Sequence, residues 1–452
     1  MQQTAKQEKP LSLIQALAEA LESGTVQRAR AMLNALHPAE IAHLLESFPP
    51  AQRKLLWELV DPEYDGEVLL HVNDDLRNVI IGDMDPKELI AATEGMDMDD
   101  LADFLQDLPA TLIGEVLQSM DKQNRQRLEA VMSYPEDSAG GLMNTDTITV
   151  RADVSLDVVL RYLRLRGEIP ELTDKLIVVN RYDRYVGILP LSQLLTNDPN
   201  LSVAKVLDAS LEPIQADSSA TEVAKLFQDR DLVSAPVVDE QGQLLGRITI
   251  DDVVDVIRDE AERSLMHMAG LDEETDMFAP IFTNARRRAV WLGISLISAL
   301  TAASVVNIFE ATIQQIVALA VLMPIVASMG GIAGQQTLTV VIRGLALGQI
   351  GSANARSLIL RETAVGVLNG MLWAAVIGAV AATWFHNPRI GLIIGCAMVI
   401  NLFFGAFAGS IIPLFLRKVG VDPALAGGMM LTTVTDVIGF MAFLGLATIF
   451  LL

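Results

Sequence analysis

Residues 289–309 read AVWLGISLISALTAASVVNIF, an apolar run without a single charge. It reaches the roughly 20 residues that carry a helix across a bilayer. Four more such runs follow, at about 316–342, 363–385, 390–416 and 424–451. A soluble core does not supply five of them in succession. The fold class expected is therefore a multidomain membrane protein, with a five-helix transmembrane domain over 283–452.

Charge divides the chain at the same place. Residues 283–452 hold four acids (Glu310, Glu362, Asp422, Asp436) and nine bases, a net +5. Against −23 for the whole chain, the first 282 residues carry −28. Such an excess of carboxylate repels phosphate and excludes nucleic acid as a partner. The single cysteine, Cys396, lies in an apolar run, which leaves no intramolecular disulfide and no thiolate metal site. The N-terminal MQQTAKQEKP is polar, so no cleavable signal is expected and the acidic half should stay in the cytoplasm. Basic residues agree: Arg286 to Arg288, Arg343, Arg356, Arg361, Arg417 and Lys418 fall on one side of alternating spans, and Arg389 alone on the other. The positive-inside rule makes the first side cytoplasmic and puts the C-terminus outside.

Two features of the spans exceed anchoring. Asp436 lies inside the last run, in TTVTDVIGF. A carboxylate at mid-membrane costs about 2.5–3.5 kcal/mol and faces a bundle interior or a hydrated path. Thr432, one turn earlier, and Thr435 make that face polar; a structural acid paired with Arg or a helix N-terminus is the alternative. The second feature is PIVASMGGIAGQQT in the second run, where Pro324 and Gly330, Gly331 and Gly334 predict a broken helix with carbonyl oxygens freed toward a cation. Close helix packing is the other use of such glycines. Carboxylate and carbonyl donors suit a hard cation, Mg2+ or Ca2+. One carboxylate per chain fits an ion that keeps its waters, as Mg2+ does. A homodimer would double the charge.

The cytoplasmic half falls into two patterns. Residues 1–133 read as short helices with an internal echo, HPAEIAHLLESFP at 37–49 against DMDDLADFLQDLP at 97–109, and a weaker DPKEL from Asp85. Recurrent helix pairs predict an all-α superhelix. From 134 to 262 two αββα units are expected, at about 140–200 and 203–262, with strand pairs 176–180/185–189 and 235–239/244–250. Asp251, Asp255 and Asp259 recur at i, i+4 and i+8 on the helix that leaves the second unit, beside Asp252, Glu260 and Glu262. Asp99 and Asp103 form another i, i+4 pair. Like charges at that spacing destabilise a helix, so the pattern points to an expected counter-ion; a solvated face is the alternative.

This order resembles the MgtE family of bacterial magnesium channels over roughly 30–452. The likeness rests on the acidic helical repeats, YPEDSAGGLM at 134–143, a pair of units like CBS domains ending in GRITIDD at 246–252, MAGL at 268–271, DPALAGG at 422–428 and TTVTD at 432–436. It implies a homodimer in the bacterial inner membrane, with a pore between the two membrane domains. Asp436 would hold hydrated Mg2+ with backbone carbonyls, including that of Thr432. Residues 263–282 would form a connecting helix that plugs the cytoplasmic mouth. Regulatory Mg2+ would bind between carboxylates of the helical and CBS domains (Asp99, Asp103, Asp251, Asp252, Asp255, Asp259, Glu260, Glu262) and close the channel. Ile332 departs from the family's usual Asn, and Arg263 and Ser264 interrupt the acidic stripe. Thr249 and Asp252 fit a CBS ribose site for ATP, whereas Pro190 and Gln193 stand at the equivalent positions of the first unit. Other divalent cations could share the path. A Na+- or H+-coupled exchanger and a membrane-tethered nucleotide sensor are the competing functions. Five histidines, with no nucleophile constellation or phosphate loop, give no basis for an enzyme.

Overall fold

The computed structural model describes residues 14–452 apart from 22, 24, 95, 97, 107, 109, 272–277, 279 and 352. It forms two compact units, Met1–Glu262 with Glu274–Ala279, and Arg263–Glu273 with Pro280–Leu452.

The first unit opens with short helices from Val26–Leu33 to Lys122–Val131. The sequence echo reflects how these helices start. In both His37-Pro-Ala-Glu40 and Asp85-Pro-Lys-Glu88, proline occupies the first helical turn, where its missing N–H costs nothing. The glutamate then reaches back to accept the N–H of the residue before proline, at 3.1 Å in each case. Ile41, Leu45, Leu56, Leu69, Phe104 and Leu105 are fully buried between these helices.

Two matching three-stranded sheets follow. β1 (Thr149–Arg151) runs parallel to β2 (Lys175–Val179), which pairs antiparallel with β3 (Tyr185–Pro190). β4 (Ile214–Gln215), β5 (Ser234–Val238) and β6 (Leu244–Thr249) repeat that order and directions. The register slips at the same place in each, Val178/Val179 and Val237/Val238. The two αββα units are thus copies of one motif.

Their cores differ in connection. The first unit encloses its own cluster around Leu156, Leu176, Val178 and Leu189. The second, with Phe227, Val237, Ile248 and Val253, shares one continuous core with the helical domain. The intervening segment is stitched to it: Ala139 N–H donates to Ser218 O and Gly140 N–H to Ala216 O, both at 2.8 Å.

The helix leaving β6 runs unbroken from Ile250 to Met268. The connector expected at 263–282 therefore begins as a continuation of this helix. Gly270, at φ +70°, follows its end, and residues 272–277 and 279 lie outside the described ones.

The second unit holds five helices long and apolar enough to cross a membrane: Asn284–Ile308, Ala318–Ala346, Ala355–Trp384, Pro388–Val419 and Pro423–Leu451. The fourth is the hub, with 56% of its most apolar window buried against 11% for the first. The predicted break in the second span does not occur. Ala318–Ala346 is one continuous helix with Pro324 inside it. Its glycines serve contact instead. A Cβ on Gly334 would lie 3.0 Å from Gly405 O, one on Gly405 2.8 Å from Gly330 O, and one on Gly409 2.5 Å from Gly334 O. Small residues every fourth position let the second and fourth spans touch backbone to backbone.

Gly409→Val is accordingly expected to destabilise the detergent-purified protein by the roughly 1–3 kcal/mol typical of overpacking, read as a lower thermal midpoint. Gly293→Ala, whose new Cβ meets nothing within 4 Å, should leave the midpoint unchanged in the same melt.

Candidate ion pathway and acidic sensor

Asp436 stands near the middle of the fifth span, Pro423–Leu451, and is half-buried. It takes part in no ion pair among the described residues, so the basic partner of the structural alternative is not found there. Hydroxyls flank it along the helix. Thr432 is exposed and donates its Oγ1 to Gly428 O at 2.9 Å. Thr435 is fully buried and donates to Leu431 O and to Thr432 O, both at 3.1 Å. The Thr432 carbonyl, expected as an ion ligand, therefore already accepts one hydroxyl. Ser298 of the first span meets Thr433 of the fifth, hydroxyl to hydroxyl. Thr312 meets Thr448 at 2.8 Å. Ile332 is 55% exposed on the second span and adds no oxygen.

The N-cap of the fifth span is a second polar point. Asp422 accepts the Ala424 N–H through Oδ1 at 2.8 Å, and its Oδ2 lies 2.5 Å from His267 Nδ1. His267 is in the last turn of Ile250–Met268. Sequence reasoning singled out neither role; an Asp-Pro pair opening a span is the local signal for the cap.

In the first unit two acid sets read separately from the sequence meet. Asp103, on helix Met98–Gln106, has its pKa pushed up to about 8 by burial, then by Glu136, Asp100 and Asp252. Its Oδ1 is buried without a hydrogen-bond partner among the described residues. Asp252 is raised to about 7 by burial, then by Asp251 and further by Asp100; hydrogen bonds from Thr249 act in the opposite sense. Those bonds come from Thr249 N–H at 3.4 Å and Oγ1 at 3.1 Å, while Thr249 Oγ1 also meets Asp251. Asp99, beside them, is buried as well. Asp100 and Glu136 belong to this cluster and were missed, although Asp100 adjoins Asp99 and Glu136 sits in the YPED segment.

The rest of the stripe behaves differently. Asp255 and Asp259 are exposed, with Arg258 at 3.7 and 3.6 Å, so the stripe has a cation of its own. Asp255 also acts on His71 of the helical domain, raising a pKa that burial lowers more. Glu260 is half-buried and Glu262 exposed. Among the described residues no group of three or more His, Cys, Asp or Glu has the convergence of a direct metal cage. A carboxylate oxygen buried without a hydrogen bond, as Asp103 Oδ1 is, does fit a cation that binds through its own water, as Mg2+ does.

The family models match in the same order as these parts. They are the MgtE intracellular N domain over residues 36–137, CBS domains over 139–199 and 203–259, and the MgtE divalent cation transporter domain over 323–446. The magnesium transporter MgtE of Thermus thermophilus is 31% identical over 96% of this chain and 98% of its own. The chain belongs to the MgtE family of magnesium transporters. The Bacillus subtilis MgtE is 28% identical over 95% of this chain and 96% of its own. A solved cytosolic domain of the Mg2+ channel MgtE in complex with ATP is 32% identical; the match covers 54% of this chain and 99% of that one, with a TM-score of 0.49.

The acid cluster of this MgtE chain makes packing pH-dependent in a defined sense. Asp103 and Asp252 hold protons in the folded state up to about 8 and about 7, whereas unfolded aspartates lose theirs near 4. The folded state thus binds more protons between pH 4 and 8, and stability falls as pH rises through that window. Without divalent cations, backbone hydrogen exchange in Met98–Gln106 should quicken from pH 6 to 9, after correction for the intrinsic rate. Adding Mg2+ should restore protection more at pH 8.5 than at pH 6. Equal Mg2+ effects at both would contradict the cation's replacing these protons.

Proposed function

We propose that this chain forms a homodimeric Mg2+-selective channel for Mg2+ uptake across the bacterial inner membrane, closed by Mg2+ binding to its cytoplasmic carboxylates. The observation that carries the reading is Asp436, a carboxylate without an ion-pair partner among the described residues at the middle of an apolar span. A carboxylate so placed is costly unless it serves a hydrated path. Two copies across a dimer axis would offer oxygens to an ion that keeps most of its waters. The basic residues flanking the spans support a cytoplasmic N-terminal half and a C-terminus outside.

The gate rests on acid packed against acid. Asp103 and Asp100 act on Asp252, Glu136 adds to the field at Asp103 and Asp251 to that at Asp252, and each approach costs energy while both sides are charged. A divalent cation offsets that repulsion, so rising internal Mg2+ would favour the packed arrangement. Asp255, Asp259, Glu260 and Glu262 extend the negative field that gathers the ion. ATP would act at the same place, because a ribose held by Thr249 and Asp252 would occupy a sensor carboxylate.

In proteoliposomes loaded with a Mg2+ indicator, Asp436→Ala is expected to abolish Mg2+ influx. Influx at the parental rate would remove Asp436 from the path. Asp103→Asn combined with Asp252→Asn removes the repulsion without a cation. Its flux should stay low and nearly independent of internal Mg2+ between zero and millimolar, where the parent closes. An unaltered Mg2+ response in that double variant would show the cluster to be unconnected with gating.

A further inference from the structure

Asn401 lies near the middle of the fourth span, Pro388–Val419, and is 0% exposed. Its Nδ2 donates to Val326 O of the second span at 2.8 Å. Its Oδ1, equally buried, has no hydrogen-bond partner among the described residues. Two glycines give this amide its room. A Cβ on Gly330 of the second span would lie 2.1 Å from Nδ2, and one on Gly439 of the fifth span 2.6 Å from it. Any side chain at either position would drive the amide out. Asn401 is thus wedged where three spans meet, and Gly439 is three residues from Asp436, on the same side of its helix.

Stability does not account for an amide here. A buried acceptor left unbonded is a cost, and leucine has nearly the shape of asparagine without that cost. Two backbones give up their side chains to admit a group that is not fully bonded. What the amide supplies is a fixed separation of the second and fifth spans, keyed to one carbonyl. Separation matters for the ion: Mg2+ demands near-octahedral geometry at about 2.0–2.1 Å and sheds water reluctantly, while Ca2+ accepts irregular shells at about 2.3–2.6 Å. The width of the path beside Asp436, fixed to a few tenths of an ångström, therefore discriminates between a compact hydrated Mg2+ and the looser shell of Ca2+.

We propose that Asn401 is a positioning residue for cation passage, whose amide sets the spacing of the second and fifth spans beside Asp436 and thereby the preference for Mg2+ over larger divalent cations. This rests on Asp436 being the acid of the path. The test uses full-length protein in proteoliposomes, measuring Mg2+ and Ca2+ influx per folded molecule together with the thermal midpoint. Asn401→Leu is expected to keep or raise the midpoint while the Mg2+:Ca2+ influx ratio falls by roughly threefold or more, the equilibrium weight of one interhelical hydrogen bond in a bilayer. Gly439→Ala, which retains Asn401 but intrudes on it, should lower the ratio in the same sense, and decides the matter alone if the leucine variant is not recovered folded. A parental ratio in both variants overturns the proposal, as does a lower midpoint with the ratio unchanged. Asp436→Asn run in parallel separates the two ideas. Parental flux there removes the path itself; lost flux there, with parental ratios in the Asn401 and Gly439 variants, removes only the role of Asn401.

Discussion

A carboxylate without a compensating cation is expensive wherever water is scarce, and this chain keeps that expense in both of its units. In the membrane unit the residue is Asp436, half-buried and with no ion pair among the described residues. In the cytoplasmic unit it is Asp103 and Asp252, which burial and like charge turn into weak acids near neutral pH. Desolvation and repulsion have the same remedies in both places, a proton or a cation that brings its own water. On the proposed function, one ion chemistry would therefore act as cargo at the first site and as brake at the second.

Holding such groups in place requires scaffolding that repulsion cannot push apart. The helical domain and the second CBS unit achieve it by sharing a single apolar core, from Leu33 and Leu45 through Phe104 to Phe227 and Val253. The facing acids are thus set on a surface fixed by burial from behind. The first CBS unit keeps a separate core. In the membrane unit there is no hydrophobic drive between helices, and the equivalent work falls to backbone proximity. Gly330, Gly334, Gly405 and Gly409 bring the second and fourth spans together, and Asn401 adds a bond keyed to one carbonyl.

Much of this was legible from the sequence because it depends on local pattern. Apolar run length gave the five spans, the echo of residues 37–49 in 97–109 marked the helical repeats, and alternation gave the paired αββα units. What failed was what depends on neighbours. Glycines in the second span read as a break, because Pro324 and Gly330 weaken an isolated helix; packing against Gly405 and Gly409 overrides that weakness. The stripe at Asp251, Asp255 and Asp259 read as one face awaiting a counter-ion. Arg258 already sits beside Asp255 and Asp259, while Asp252 is the member set among the acids of the helical domain. Asp100, Glu136 and Asn401 went unnoticed since each matters through a partner distant in sequence.

The separation of the stripe into two parts bears on how a sensor could reach a pore. Ile250–Met268 is a single helix of 19 residues, so it is roughly 28 Å long and stiff. Its first turn carries Asp251 and Asp252, where protonation or a cation changes the local energy most. Its last turn carries His267, in contact with the Asp422 carboxylate that caps the fifth span. Asp422 uses one oxygen for the cap and the other for His267, so displacing the histidine perturbs a group that also orders the helix start. His267 therefore ties the end of this helix to the first turn of the span that bears Asp436, through a carboxylate that both elements share.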